Sequence, residues 1–168
     1  MKLDPFYLII DDARWLERLL PHGLRLVQLR IKDRPETQVR TQIRHAKELC
    51  AKAGATLVIN DYWQIAIEEA CDFIHLGQED LAEADVDAIR KAKCRLGIST
   101  HDPNELDLAL AVKPDYVALG PVFPTTLKQL DWAPQGVARV TEWKKRVGPV
   151  PLVAIGGLNV ERAQAVLE

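Results

Sequence analysis

At 168 residues and 48% hydrophobic content, the chain is about one domain long and able to bury a core of its own. Its 24 acidic and 22 basic side chains are interspersed and leave a net charge of −2, which excludes the basic footprint of a nucleic-acid binder and a surface drawn to anionic membranes. A small-molecule partner is the expectation that remains.

The amino terminus, MKLDPFYLIIDDARW, carries an apolar run too short for a signal-peptide core or a membrane helix, and Asp4 and Asp11 interrupt its flanks. A cytosolic protein is predicted. The same run supplies the first strand, YLII over 7–10, and RLVQLRI predicts the second over 25–31. In the next segment Val39, Ile43, Ala46, Cys50 and Ala53 recur at helical spacing, and Gly54 supplies a stop. Five more strand patterns follow: TLVIN (56–60), FIHLG (73–77), RLGIS (95–99), YVALG (116–120) and LVAIG (152–156). DPNELDLALAV opens a helix, with Asp102 as cap, Pro103 at the first position and Glu105 as the capping-box acid. Cys50, Cys71 and Cys94 are widely spaced, odd in number and without a CxxC pair, so they are read as buried thiols. The four histidines show no HExxH-type spacing.

Strict alternation of apolar strands and helices implies a parallel sheet covered by helices, either doubly wound or closed as a barrel. A repeat of roughly 20 to 30 residues favours a TIM (β/α)8 barrel, one domain over 1–168. After LVAIGG comes the single helical pattern VERAQAVLE and no eighth strand. An open seven-stranded form would leave strands one and seven as unprotected edges, so a chain truncated at its carboxyl end, or a strand supplied elsewhere, is predicted.

Polar residues gather where strands end. Gln28, Arg30 and Lys32 alternate with Leu29 and Ile31, a row roughly 13 Å long aimed at a polar cavity and suited to an extended polyanion. Alone, the row reads equally well as the polar side of an edge strand. Strand three ends at Asn60-Asp61 and strand four runs into His75 and on to Asp80; the two acids could hold Mg²⁺ with substrate phosphate, although each singly is better read as a helix cap. Strand five ends at Ser99-Thr100-His101 and adds hydroxyl donors to the same rim, although capping or a turn accounts for them as well and His101 in particular reads as structural. Pro121–Pro134 is the longest irregular piece, a candidate active-site loop with Thr125, Thr126 and Lys128. Gly156-Gly157 would let backbone N–H groups approach a phosphate.

Taken together, QLRIK, INDYWQIAI, HLGQEDL, GIST, ALGPVFPTTLK and VAIGG resemble the thiamine-phosphate synthase family in order and spacing, closest to its proteobacterial branch with NDYW and APQG. The resemblance implies a Mg²⁺-dependent barrel enzyme that joins a pyrimidine methyl diphosphate to a thiazole phosphate through a pyrimidine cation. It implies that Gln28, Leu29, Arg30, Ile31, Lys32, Asn60, Ser99 and Lys128 hold the pyrimidine diphosphate, and that Asp61 and Asp80 bind Mg²⁺. Arg30, Lys32, Ser99 and Lys128 would act on the departing diphosphate. Thr125, Thr126 and Leu127 would face the thiazole phosphate with Gly156 and above all Gly157; Leu127 stands where the family often has a second threonine. Three readings compete with this one: a thiazole tautomerase paralogue, a non-catalytic thiamine-phosphate binding module, and another phosphate-binding barrel. The first expects a histidine where this chain has Pro121, and the last leaves QLRIK unexplained.

Overall fold

The computed structural model describes residues 2–125 and 133–167, which fall into two compact units, Lys2–Leu96 and one that starts at Gly97. Seven strands alternate with helices among the described residues.

The first unit holds four parallel strands: β1 (Tyr7–Ile10), β2 (Leu26–Leu29), β3 (Thr56–Asn60) and β4 (Phe73–Leu76). Leu29 pairs with Ile10 on one side and Ile59 on the other, and Asn60 pairs with His75. Every residue of β2 and β4 is buried, as expected of strands covered on both faces. Helices α1 (Arg14–Leu19), α2 (Glu36–Ala53), α3 (Trp63–Glu68), α4 (Gln78–Glu83) and α5 (Val86–Lys91) complete the unit. The helical spacing is borne out in α2, which buries Val39, Ile43, Ala46 and Cys50. Gly54 ends it at φ +64°, a left-handed turn in which Ala55 N–H reaches back to the Cys50 carbonyl at 2.9 Å. Arg40 and Arg44 tie α2 to Glu68 and Glu69 at the end of α3. All three cysteines are free and buried, as read from the sequence.

Strand β5 (Arg95–Thr100) crosses the boundary between the units. The second unit adds α6 (Pro103–Ala111), β6 (Tyr116–Leu119), α7 (Gly136–Val147), β7 (Leu152–Ala154) and α8 (Val160–Leu167). Ser99 lies opposite Ala118, and Ala118 opposite Val153. The core gathers Leu106, Val117, Leu119, Val140, Trp143 and Val147. All three residues of β7 are half-buried. Asp102 caps α6 as expected, accepting from Asn104 and Glu105 N–H at 2.8 and 2.9 Å, whereas Glu105 reaches His101 instead of the cap residue. Gly97 admits the Tyr116 ring: a Cβ at position 97 would lie 2.1 Å from it.

Several strands are shorter than their apolar runs. The run over 25–31 yields only Leu26–Leu29, because β1 ends at Ile10 opposite Leu29; the Arg30 N–H still donates to the Ile10 carbonyl at 2.7 Å, and there the ladder stops. FIHLG, YVALG and LVAIG likewise lose their terminal glycines, the last also Ile155, while RLGIS gains Thr100.

Candidate active site

Alternation along β2 and its continuation separates two sets of side chains. Leu29 and Ile31 are buried, so their side chains belong to the protein interior. Gln28, Arg30 and Lys32 follow the other parity, and exposure rises along them: Gln28 is buried, Arg30 half-buried and Lys32 exposed. The Gln28 amide donates to the Tyr7 hydroxyl at 3.0 Å, which fixes its orientation. The Lys32 ammonium pairs with the Asp61 carboxylate.

Asp61 sits just beyond β3 at φ +65°, a left-handed conformation that Asp tolerates better than most residues. Three backbone hydrogen bonds hold it there. Its N–H donates to the His75 carbonyl at 2.9 Å, Tyr62 N–H to the Asn60 carbonyl at 2.8 Å, and Trp63 N–H to the Asp61 carbonyl at 2.7 Å. The helix-cap reading of the two acids fails: Tyr62 precedes α3 and Gly77 precedes α4, and neither helix start has a side-chain cap. Asp80 stands in the first turn of α4 and shares a hydrogen bond with Asp61. Burial, then the charge and hydrogen bond of Asp61, push the Asp80 carboxyl up; Lys32 and the Gly77 N–H act in the opposite direction. A pocket of about 320 Å³ opens here between Lys32, Asp61, Asp80, Glu83 and the aromatic pair Tyr62 and Trp63.

Two buried polar residues lie one step inside. Asn60 is 4% exposed, and its Nδ2 has no hydrogen-bond partner, which a folded protein tolerates at a cost of roughly 1 to 3 kcal/mol. Across the ladder, His75 is 6% exposed; burial drives its imidazole down to about 4, against the pull of Asp61 and with the push of Arg30. The sequence reading gave His75 no role. The signal was there, because a histidine in the middle of the four-residue apolar strand Phe73–Leu76 is out of place unless something holds it.

A divalent cation suits this donor set. Two carboxylates are held so close that one resists ionising, and a cation already sits on Asp61 in the form of Lys32. Mg²⁺ commonly takes one or two carboxylates and completes its shell with water and phosphate oxygens. Asp61 and Asp80 fit that pattern, although no cluster of three acidic, histidine or cysteine ligands exists among the described residues.

The second unit contributes differently. Ser99 is half-buried near the end of β5. Thr100 does not join the rim: fully buried, it spends its hydroxyl on the Ala118 carbonyl and the Trp143 indole. His101 Nδ1 and N–H both meet the Glu105 carboxylate, at 2.8 and 2.7 Å, a structural pairing. Gly156 and Gly157 have φ of +95° and +64°, and their backbone is packed against the chain after β6: a Cβ would lie 2.7 Å from Pro121 and 2.4 Å from the Pro124 carbonyl oxygen. Phe123 N–H donates to the Gly156 carbonyl at 3.0 Å. Thr125 is half-buried; Thr126, Leu127 and Lys128 lie outside the described residues.

Comparison with known proteins places the chain in a family. The profile of the TMP-TENI family, described as thiamine monophosphate synthase, matches residues 6–168. A thiamine-phosphate synthase of Rhizobium etli is 66% identical over 168 residues, covering 100% of this chain and 82% of that protein. Another, of Cronobacter sakazakii, is 54% identical over 162 residues, 96% of this chain and 77% of its own. The solved thiamine phosphate pyrophosphorylase of Pyrococcus furiosus superposes with a TM-score of 0.84 at 27% identity, over 96% of this chain and 79% of that one. The fold is therefore of the TIM (β/α)8-barrel type, represented by seven strands among the described residues. Its activity is thiamine-phosphate synthesis, and the chain belongs to the thiamine monophosphate synthase family.

Proposed function

We propose that the chain carries out this transfer by gripping the diphosphate of 4-amino-2-methyl-5-(diphosphooxymethyl)pyrimidine while its C–O bond breaks ahead of attack by the thiazole phosphate nitrogen. A dissociative step of this kind asks little of a protein nucleophile and much of prearranged positive charge, because the departing diphosphate accumulates negative charge as the bond lengthens. Arg30 and Lys32 supply that charge, and Lys128 belongs to the same set by the family resemblance. Asp61 and Asp80 would hold Mg²⁺, which supplies charge neutralisation on the diphosphate oxygens.

Gln28, oriented by Tyr7, and Asn60, with an amide proton donor unspent, hold the pyrimidine end. Leu29 and Ile31 shape the strand beneath them, with any contact confined to backbone. Ser99 donates to the diphosphate. Thr125, Thr126, Leu127 and the Gly156-Gly157 turn form the thiazole phosphate side, where glycine allows backbone to come close. The reading includes a cytosolic location, supported by three free buried thiols and by the lack, among the described residues, of any helix long and apolar enough to cross a membrane.

The observation that carries the proposal is the Lys32, Asp61 and Asp80 cluster, two carboxylates and a cation packed at one pocket mouth. Its test is thiamine phosphate and pyrophosphate formation from the two substrates, with Mg²⁺ and then with chelator. Asp61→Ala is expected to cost at least about 10³-fold in kcat/KM. Undiminished turnover in chelator, or in that variant, would overturn the assignment.

A further inference from the structure

Thr100 is the last residue of β5 and follows Ser99 directly. Alternation places the two side chains on opposite faces, Ser99 half-buried and Thr100 with no exposed surface. The backbone ladder is weak here: Gly120 N–H meets the Thr100 carbonyl at 3.4 Å, near the limit of a hydrogen bond. The side chain compensates. Its hydroxyl donates to the Ala118 carbonyl at 2.9 Å and accepts from the Trp143 indole N–H at 3.0 Å. An indole nitrogen can only donate, so the direction of both bonds is fixed and the Thr100 proton must point at Ala118. Ala118 is the residue that lies opposite Ser99 across the β5–β6 ladder. Trp143 is itself immobilised, fully buried on α7 with the Arg139 and Arg146 guanidinium groups over its ring at 5.1 and 5.7 Å.

We propose that Thr100 and Trp143 are positioning residues for Ser99: the indole–hydroxyl–carbonyl relay locks the exit of β5 to β6 and α7, so that the Ser99 hydroxyl is held at the angle the departing diphosphate requires. This inference rests on the reading of Ser99 as a diphosphate ligand. A relay of two buried neutral hydrogen bonds is stiff because neither group has water to turn to. Misaligning a donor that acts mainly as charge builds on the leaving group lowers kcat more than it raises KM.

The test compares S99A, T100V, T100S, W143F and the double variant S99A/T100V, with the pyrimidine diphosphate varied at saturating thiazole phosphate. S99A and T100V are each expected to lower kcat about tenfold with less than about a twofold change in KM. The double variant should fall no further than S99A, T100S should keep kcat at the wild-type level, and W143F should behave as T100V. Multiplicative losses in the double variant, or equal losses in T100S and T100V, would reduce Thr100 to a packing residue and overturn the relay. Wild-type kcat in S99A would overturn the Ser99 reading and this one together, whereas loss in S99A with none in T100V overturns the relay alone. If circular dichroism shows T100V unfolded, W143F with and without S99A takes its place, under the same criteria.

Discussion

The two units arrange their polar groups differently. The first concentrates charge and buried polarity on side chains: Lys32, Asp61 and Asp80 line the pocket, and Asn60 and His75 are buried on β3 and β4. The second packs backbone on backbone, with Gly156 and Gly157 in left-handed conformations against Pro121 and Pro124, and uses Thr100 and His101 to hold itself together. The lesson is that clustering polar side chains carries an energetic penalty in the fold, visible in the unpaired Asn60 amide and the crowded carboxylates, while close backbone packing carries a steric restriction instead.

Substitutions should therefore separate activity from stability in the first unit and combine them in the second. The largest expected effect is on Asp80: Asp80→Ala relieves crowding with Asp61, so unfolding in urea should show a stability equal to or above wild type, while kcat/KM falls about 10³-fold. A large stability loss in that variant would break the contrast. Next come the glycines. Gly157→Ala drives a methyl into the Pro124 carbonyl at positive φ, and Gly97→Ala drives one into the Tyr116 ring; each should cost about 4 kcal/mol by denaturant unfolding.

Response to pH sharpens the comparison further, because the shifted buried groups lie in the first unit. His75 stays neutral down to about pH 4, whereas in the unfolded chain it takes up a proton near 6.5. The unfolded state thus binds more protons between these values, and stability falls as pH drops through this window by about 3 kcal/mol; His75→Gln should flatten that slope. Burial pushes Cys50 and Cys71 up to about 11 from an ordinary 9, so unfolded thiols ionise first and stability falls as pH rises from 9 to 11, by about 2 kcal/mol for each. Cys50→Ala and Cys71→Ala should each remove part of the alkaline slope. The smallest effect concerns Asn60: Asn60→Ala should leave stability within about 1 kcal/mol of wild type and cost about tenfold in kcat/KM, measured with the pyrimidine diphosphate varied.

Much of the fold was legible because its cues are local. The stripe Val39, Ile43, Ala46, Cys50 and the Asp102 cap needed only spacing and residue type. The site was legible in composition and less so in detail, because its decisive contacts are long-range. Nothing near Gln28 in the chain points to Tyr7, 21 residues earlier, as its partner. Asp61 and Asp80 each looked like a cap, since only the β3–β4 register, with Asn60 against His75, brings their strand exits together. Thr100 looked like a rim hydroxyl because Trp143, its consumer, lies 43 residues away on α7.

The close approach of Tyr116 to Gly97 has a consequence for how such sequences can change. The tyrosine ring occupies the volume that any side chain at position 97 would need, so the two positions drift only as a pair. A lineage that enlarges residue 97 must first shrink residue 116, and an engineer recombining relatives who splits the chain between them inherits a clash, or a hole, that neither parent contained.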